Sequence, residues 1–337
     1  MTDFLNAIVL LLNFLVIPGI AYGCQLALGA LGVTLIYGIL RFSNFAHGET
    51  MAFGTMFTII ATWFLQSNGI SLGSIPTALL AMPIGILAAI LLVLGTDKLV
   101  YKFYRKQKST PVIYLIASLG VMFFYNGLIR FIIGPDDRVF TDGSRFIITA
   151  REFKEMTGLD QGMAFKMTQG ITIVVTIICV AILFWFLNKT RTGKSMRAYS
   201  DNEDLALLSG INPDRVVMIA WVLTAILATI AGTLYGLDKS FKPFTYLQIL
   251  LPIFAAAIVG GIGNPVGAIL GGFVIALSEV AVTFAYKRVI GYLVPESWAP
   301  EGLVQLLSTD YKFAVSFTIL VIVLLVKPTG LMKGQSI

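Results

Sequence analysis

Charge is scarce in this sequence. Asp, Glu, Lys and Arg make 12% of its 337 residues, hydrophobic residues make 57%, and the mean hydropathy is +0.86. Soluble domains carry roughly 25% charge, so so few charged side chains cannot cover a water-facing surface. That excludes a soluble enzyme, a disordered protein and a nucleic-acid binder together. Cysteine is nearly absent too. Cys24 and Cys179 both lie in apolar runs and read as small buried hydrophobes, with neither a disulfide framework nor metal spacing. With His47 as the only histidine, a His-based metal site is not expected. The net charge of +6 matches the Lys/Arg excess of cytoplasmic loops and is not a nucleic-acid signal.

What fills the chain is long apolar runs, at 21–40, 45–66, 76–97, 111–133, 168–188, 216–237, 247–263, 266–286 and 312–327. An earlier run at 4–17 abuts Pro18-Gly19. Taken together, 4–40 would be a helix of about 55 Å against a ~30 Å hydrocarbon core. A break at Pro18-Gly19 is therefore expected, giving two spans or one span with a surface helix. Asp3, with no Lys or Arg near it, argues against a cleaved signal peptide. The expected fold class is an all-α polytopic membrane protein with about 8–10 transmembrane helices in one domain over 1–337.

The basic loops set the orientation. Residues 98–110 carry Lys98, Lys102, Arg105, Lys106 and Lys108; residues 189–197 carry Lys189, Arg191, Lys194 and Arg197; the tail carries Lys327 and Lys333. All three are expected in the cytoplasm, and so is the C-terminus. The loops at 134–167, 238–246 and 287–311 then face outward. Parity places the N-terminus inside if 4–17 spans and outside if it does not. Asp97 and Asp238, at span ends, read as interfacial.

Three segments stand out. In the first, polar groups interrupt apolar sequence at Asn44, His47, Gly48 and Glu49. Asn44 or Ser43 can cap the following helix. That helix start is a natural receptor for a carboxylate, so these residues are candidates for a substrate pathway. A short solvated loop with a capped helix reads equally well. The second is the stretch 190–213. Ser200-Asp201-Asn202-Glu203 has the capping-box pattern, Leu205, Leu207 and Leu208 follow, Gly210 stops the helix, and Asn212-Pro213 restarts the next. A helix so short cannot bury its own leucines. It docks to a partner, or it tucks them under neighbouring helices. Gly193-Lys194-Ser195 imitates the end of a P-loop, but Asn188 stands where the leading glycine belongs, so no ATP site is expected in this chain. The third is glycine-rich: Gly260, Gly261, Gly263, Gly267 and Gly271 surround Asn264-Pro265, a pattern for close helix packing around a turn. Glu279, inside the next run, either lines a polar interior or sits near the membrane surface.

Taken together these segments resemble the permease subunits of branched-chain amino-acid ABC transporters, closer to the LivH than the LivM branch. The resemblance runs through Asn44-Phe45-Ala46-His47-Gly48-Glu49, through Gly193 to Asn212 with Arg197-Ala198 and Leu207-Leu208-Ser209-Gly210-Ile211-Asn212, and through Ala256 to Ala268. Lys327-Pro328-Thr329-Gly330-Leu331 fits the family's ending. Asn264 stands where serine is common in the family.

The resemblance implies a permease bundle in a prokaryotic inner membrane, paired with a second, LivM-like permease. Two cytoplasmic ATPase subunits would hold the ATP and Mg, so this chain itself would bind no cofactor and would not be an enzyme. A soluble binding protein would deliver branched-chain or other hydrophobic amino acids. Gly193, Arg197, Ser200, Glu203, Leu205, Leu207, Leu208 and Gly210 would form the segment received by the ATPase. The loop 134–167 would meet the binding protein. Urea or a short amide is an alternative cargo, because permeases of that kind share the N-x-A-H-G-E segment. A stand-alone secondary transporter or channel is a second alternative. It would need deep ionisable groups, and only Glu49 and Glu279 are candidates.

Overall fold

The computed structural model describes every residue except Met1, Thr141, Glu296, Ser297, Ala299, Glu301, Leu303 and residues 333–337. Lys333, one of the expected cytoplasmic charges, lies outside the described residues. The chain opens with α1 (Thr2–Leu11), which passes through a π-turn at Leu12–Val16 into α2 (Ile17–Leu40). Then come α3 (His47–Ser67) and α4 (Ala78–Thr96), the latter running through a second π-turn at Asp97–Tyr101 into α5 (Lys102–Lys106). After α6 (Pro111–Ile133), a small antiparallel hairpin of β1 (Phe146–Ile148) and β2 (Phe165–Lys166) brackets α7 (Ala150–Thr157). Next are α8 (Met167–Lys189), α9 (Arg191–Asp201), α10 (Glu203–Leu208) and α11 (Pro213–Lys239). The chain closes with α12 (Pro243–Gly260), α13 (Pro265–Thr283), α14 (Lys287–Leu293) and α15 (Lys312–Val326).

Among the described residues, 8 helical stretches are long and apolar enough to cross a membrane. The more polar α3, 21 residues long, runs among them. Proline opens α6, α11, α12 and α13, where its missing N–H leaves no helical bond unmade.

Two expectations are corrected. The helix does not break at Pro18-Gly19: Thr2–Leu40 is one 39-residue rod. The π-turn just before Pro18 widens the backbone, so the proline ring does not strike the preceding turn. At ~58 Å the rod exceeds the bilayer core, so its first turns must leave it. Nor are residues 98–106 a loop; they continue the helix from α4. Asp97 lies inside that helix, where its carboxylate takes both terminal nitrogens of Arg105 (2.6 and 2.9 Å) and the indole N–H of Trp221 (2.8 Å). It is a partly buried structural pair and not simply an interfacial charge.

The bundle has two unlike ends. The basic end gathers α5, α9, α10, the α12–α13 turn and the end of α15, where the Leu331 and Met332 amides bond Val259 and Gly260 (2.8 and 3.0 Å). The opposite end gathers α1, α14, the hairpin with α7, and a bridge between Arg138 and Phe241. There α1 packs on α14, and the first rod holds the loop that follows α7. Asn6 accepts the Gln161 amide (3.1 Å) and Asn13 accepts that of Ala164 (3.1 Å). Asp238, nearly buried, pairs with Lys239 (3.3 Å) at this end.

The core sits where α2 lies against α11, α12 and α13. Lipid offers apolar side chains as good a surroundings as protein does, so helix association rests on close packing. Small residues provide it: a Cβ on Gly23 would meet Phe273, on Gly29 Ile253, and on Gly232 the Met51 carbonyl.

Candidate functional site

At the basic end, Thr190 caps α9 by accepting the Gly193 amide (3.0 Å). Gly193 must be glycine, because a Cβ there would lie 2.2 Å from the Phe186 carbonyl. Gly193, Met196 and Tyr199 face inward, while Arg197 is exposed. Ser200 is not the cap expected from the sequence. It belongs to the last turn of α9, and its carbonyl accepts from the Arg41 guanidinium. The first extended residue is Asn202 (φ −153°), whose side chain accepts the Leu205 amide (3.0 Å). The capping role thus falls two residues later than the S-x-x-E pattern suggests. Glu203 instead accepts from the Tyr199 hydroxyl (2.6 Å). Burial first, and then this carboxylate, push the Tyr199 pKa well up, so the phenol stays a donor.

The short helix α10 is fixed at both ends. Gly210 takes φ +82°, its amide bonding Leu207 (3.0 Å), while the Ile211 amide bonds Ala206 (3.1 Å). Asn212 then caps α11 through the Arg215 amide (3.2 Å). Only Ala206 is buried. Leu205, Leu207 and Leu208 are 61%, 42% and 84% exposed, so the leucines are not tucked under the chain's own helices.

The segment 44–49 is not a solvated loop. Asn44, His47 and Glu49 are 4%, 1% and 0% exposed. Asn44 bonds the Ala46 amide (3.1 Å) and the Tyr101 hydroxyl (3.4 Å), but Ala46 is the N-cap of α3 and makes no side-chain cap. Neither Ser43 nor Asn44 is in that position. The His47 ring lies against Gly32, where a Cβ would come within 2.6 Å of it. Gly32 is about 12 Å along α2 from its end at Leu40, so α3 starts deep within the bundle. Gly48 lets α3 touch the Tyr246 carbonyl, 2.7 Å from where a Cβ would be. Glu49 accepts from Asn126 (2.9 Å) with one oxygen. Its other oxygen has no hydrogen-bond partner among the described residues. The helix start expected to receive a carboxylate carries Glu49 in its own first turn, turned to Asn126 on α6.

The glycine-rich segment is a turn at the basic end. Gly260 and Gly267 face each other, with a Cβ on either meeting the other's carbonyl at 2.0 and 2.3 Å, and a Cβ on Gly271 would meet the Ala256 carbonyl at 2.0 Å. Gly261 and Gly263 take φ +109° and +87°, and Asn264 caps α13 through the Val266 and Gly267 amides (3.0 and 3.1 Å). Complete helices enter and leave, so the segment is not re-entrant. Glu279 is buried at 2% exposure and accepts from Ser316. Sequence reasoning missed Asn126 and the Asp97–Arg105–Trp221 cluster. A lone amide inside the apolar run 111–133 was the available signal for Asn126.

The chain as a whole has relatives. A family model described as "Branched-chain amino acid transport system / permease component" matches residues 15–324. The high-affinity branched-chain amino acid transport system permease protein LivH of Salmonella typhimurium is 30% identical, over 93% of this chain and 93% of that protein. LivH of Escherichia coli K12 gives the same figures, 30% and 93% of each. The corresponding permease protein BraD of Pseudomonas aeruginosa is 27% identical over 94% of both chains.

Proposed function

Because the chain belongs to the branched-chain amino acid transport permease family, and is on that ground a membrane subunit of an ABC transporter, we propose that it imports branched-chain or other hydrophobic amino acids. A soluble binding protein hands the cargo over at the end that carries 134–167. A second, LivM-like permease completes the pathway. Two ATPase subunits supply the energy and hold the ATP and Mg. The basic end, with 190–213 and the C-terminus, faces the cytoplasm of a prokaryotic cell, as its Lys and Arg residues favour.

The observation that carries this reading is α10. It is capped at both ends and still exposes Leu205, Leu207 and Leu208. Such a cluster is a helix-in-groove anchor. Force applied there has a short route into the bundle. The Ser200 carbonyl is bonded to Arg41, which sits at φ +57° where α2 ends and the buried 42–49 segment starts. A left-handed arginine is a strained position held by its surroundings. Movement of α9 and α10 would therefore reach Asn44, His47, Gly48 and Glu49, the candidate pathway residues. The buried Glu49 oxygen without a partner marks a group that a passing amino acid could satisfy.

The test is uptake into proteoliposomes with labelled leucine and labelled urea. Leucine should accumulate only when this chain is joined by partner permease, ATPases, binding protein and ATP. Accumulation of urea alone, or transport by the isolated chain without ATP, would overturn the proposal.

A further inference from the structure

Between the basic-end termini of α2 and α8, α9, and the α12–α13 turn lies a cavity of about 710 Å³. That is within the roughly 300–1,000 Å³ typical of small-molecule sites. Three chemistries meet in its lining. Lys194 and Arg197 bring positive charge, and Asn264-Pro265 bring the positive dipole end of α13. Asp201 brings a carboxylate. Leu35, Ile39 and Leu187 bring an aliphatic wall. Thr34 also lines it, is 1% exposed, and its hydroxyl has no hydrogen-bond partner among the described residues. A buried hydroxyl left unpaired beside a cavity is a donor awaiting an acceptor.

We propose that this cavity is a binding site for a free zwitterionic amino acid, held by its carboxylate at Lys194, Arg197 and Thr34. The ammonium faces Asp201, and the side chain lies on Leu35, Ile39 and Leu187. Anion, cation and aliphatic surface in one cavity match an apolar amino acid better than a simple anion. The inference rests on the importer reading, which puts this cavity on the arrival side of the membrane. There it is distinct from the buried 44–49 segment. Because α9 walls the cavity and leads directly into α10, an occupant ties the coupling segment to α2 and α13. Accumulated cargo thereby slows further import.

The experiment uses the complete transporter in phosphatidylcholine nanodiscs, without binding protein or ATP, and measures labelled leucine by equilibrium dialysis. Saturable binding is expected. Unlabelled leucine should compete and 3-methylbutylamine, which lacks the carboxylate, should not. Thr34→Val and Lys194→Gln should each raise Kd about tenfold, as loss of a hydrogen bond to a charged group does. If Thr34→Val fails to assemble, the exposed Lys194 carries the test. No binding, or a Kd unchanged by the variants, overturns the proposal. So does competition by inorganic phosphate as potent as that by leucine, or loss of binding when phosphatidylethanolamine is added, which would assign the cavity to a phosphate or a lipid headgroup. ATP-driven leucine uptake that persists without this binding removes the cavity site and leaves the importer standing.

Discussion

At the scale of single residues, glycine and one carboxylate carry most of the structure's demands. A Cβ on Gly271 would lie 2.0 Å from a backbone carbonyl, which cannot move aside like a side-chain tip. Gly271→Ala should therefore part α12 from α13 and destabilise by about 1–3 kcal/mol or more. Gly120→Ala is the control, since nothing lies within 4 Å of its position. Thermal unfolding in detergent should show a clear drop for the first and none for the second. Equal melting would refute the close packing of α12 on α13. Asp97 makes a different kind of demand. It holds Arg105 and Trp221 at once, with side-chain exposures of 13% and 19% for the ion pair. Asp97→Ala strands a partly buried guanidinium and should cost about 3–5 kcal/mol. Removing Arg105 as well should recover part of that loss in a double-mutant cycle. Additive losses would mean that the two side chains do not act together.

At the scale of elements, what could be read from the sequence was whatever repeats a local rule. The apolar runs at 111–133 and 168–188 match α6 and α8 closely, because a spanning helix is one long apolar pattern. Gly210 and Asn212-Pro213 act as read, since their backbone roles depend on neighbours in sequence. The misplaced cap at Ser200 shows the limit. Two helices meet there: Ser200 closes the first, its carbonyl bonded to Arg41 from a distant part of the chain, and Asn202 opens the second. The burial of 44–49 escaped for the same reason, as it depends on Gly32 and Tyr246. For α10 the consequence is testable. Asn202→Ala removes its cap and should cost about 1 kcal/mol of local order. The Leu207→Asp, Leu208→Asp double variant removes its anchor and leaves the cap intact. Pull-down of the ATPase subunits from purified complex should weaken modestly in the first and fail in the second, with unchanged thermal unfolding of the bundle. Normal assembly and uptake by the double variant would take the docking role away from α10.

At the scale of the whole molecule, the long first helix decides the layout. Since Thr2–Leu40 is one rod, the run at 4–17 adds no crossing, and α1 emerges at the end opposite to Lys327. The rod's first turns hold residues 160–164 through Asn6 and Asn13, bracing a loop that would otherwise be free. The Lys and Arg clusters at 98–108 and 189–197 then set the expected side of each face. Single cysteines at Met156, 79% exposed on α7, and at Lys108, after α5, report the two ends directly. The native Cys24 and Cys179 are first replaced. In intact cells a membrane-impermeant maleimide should label Met156→Cys and spare Lys108→Cys until the membrane is opened. The reverse pattern would invert the molecule. It would place α10 outside, beyond the reach of any cytoplasmic ATPase, and the coupling proposal would fall with the orientation.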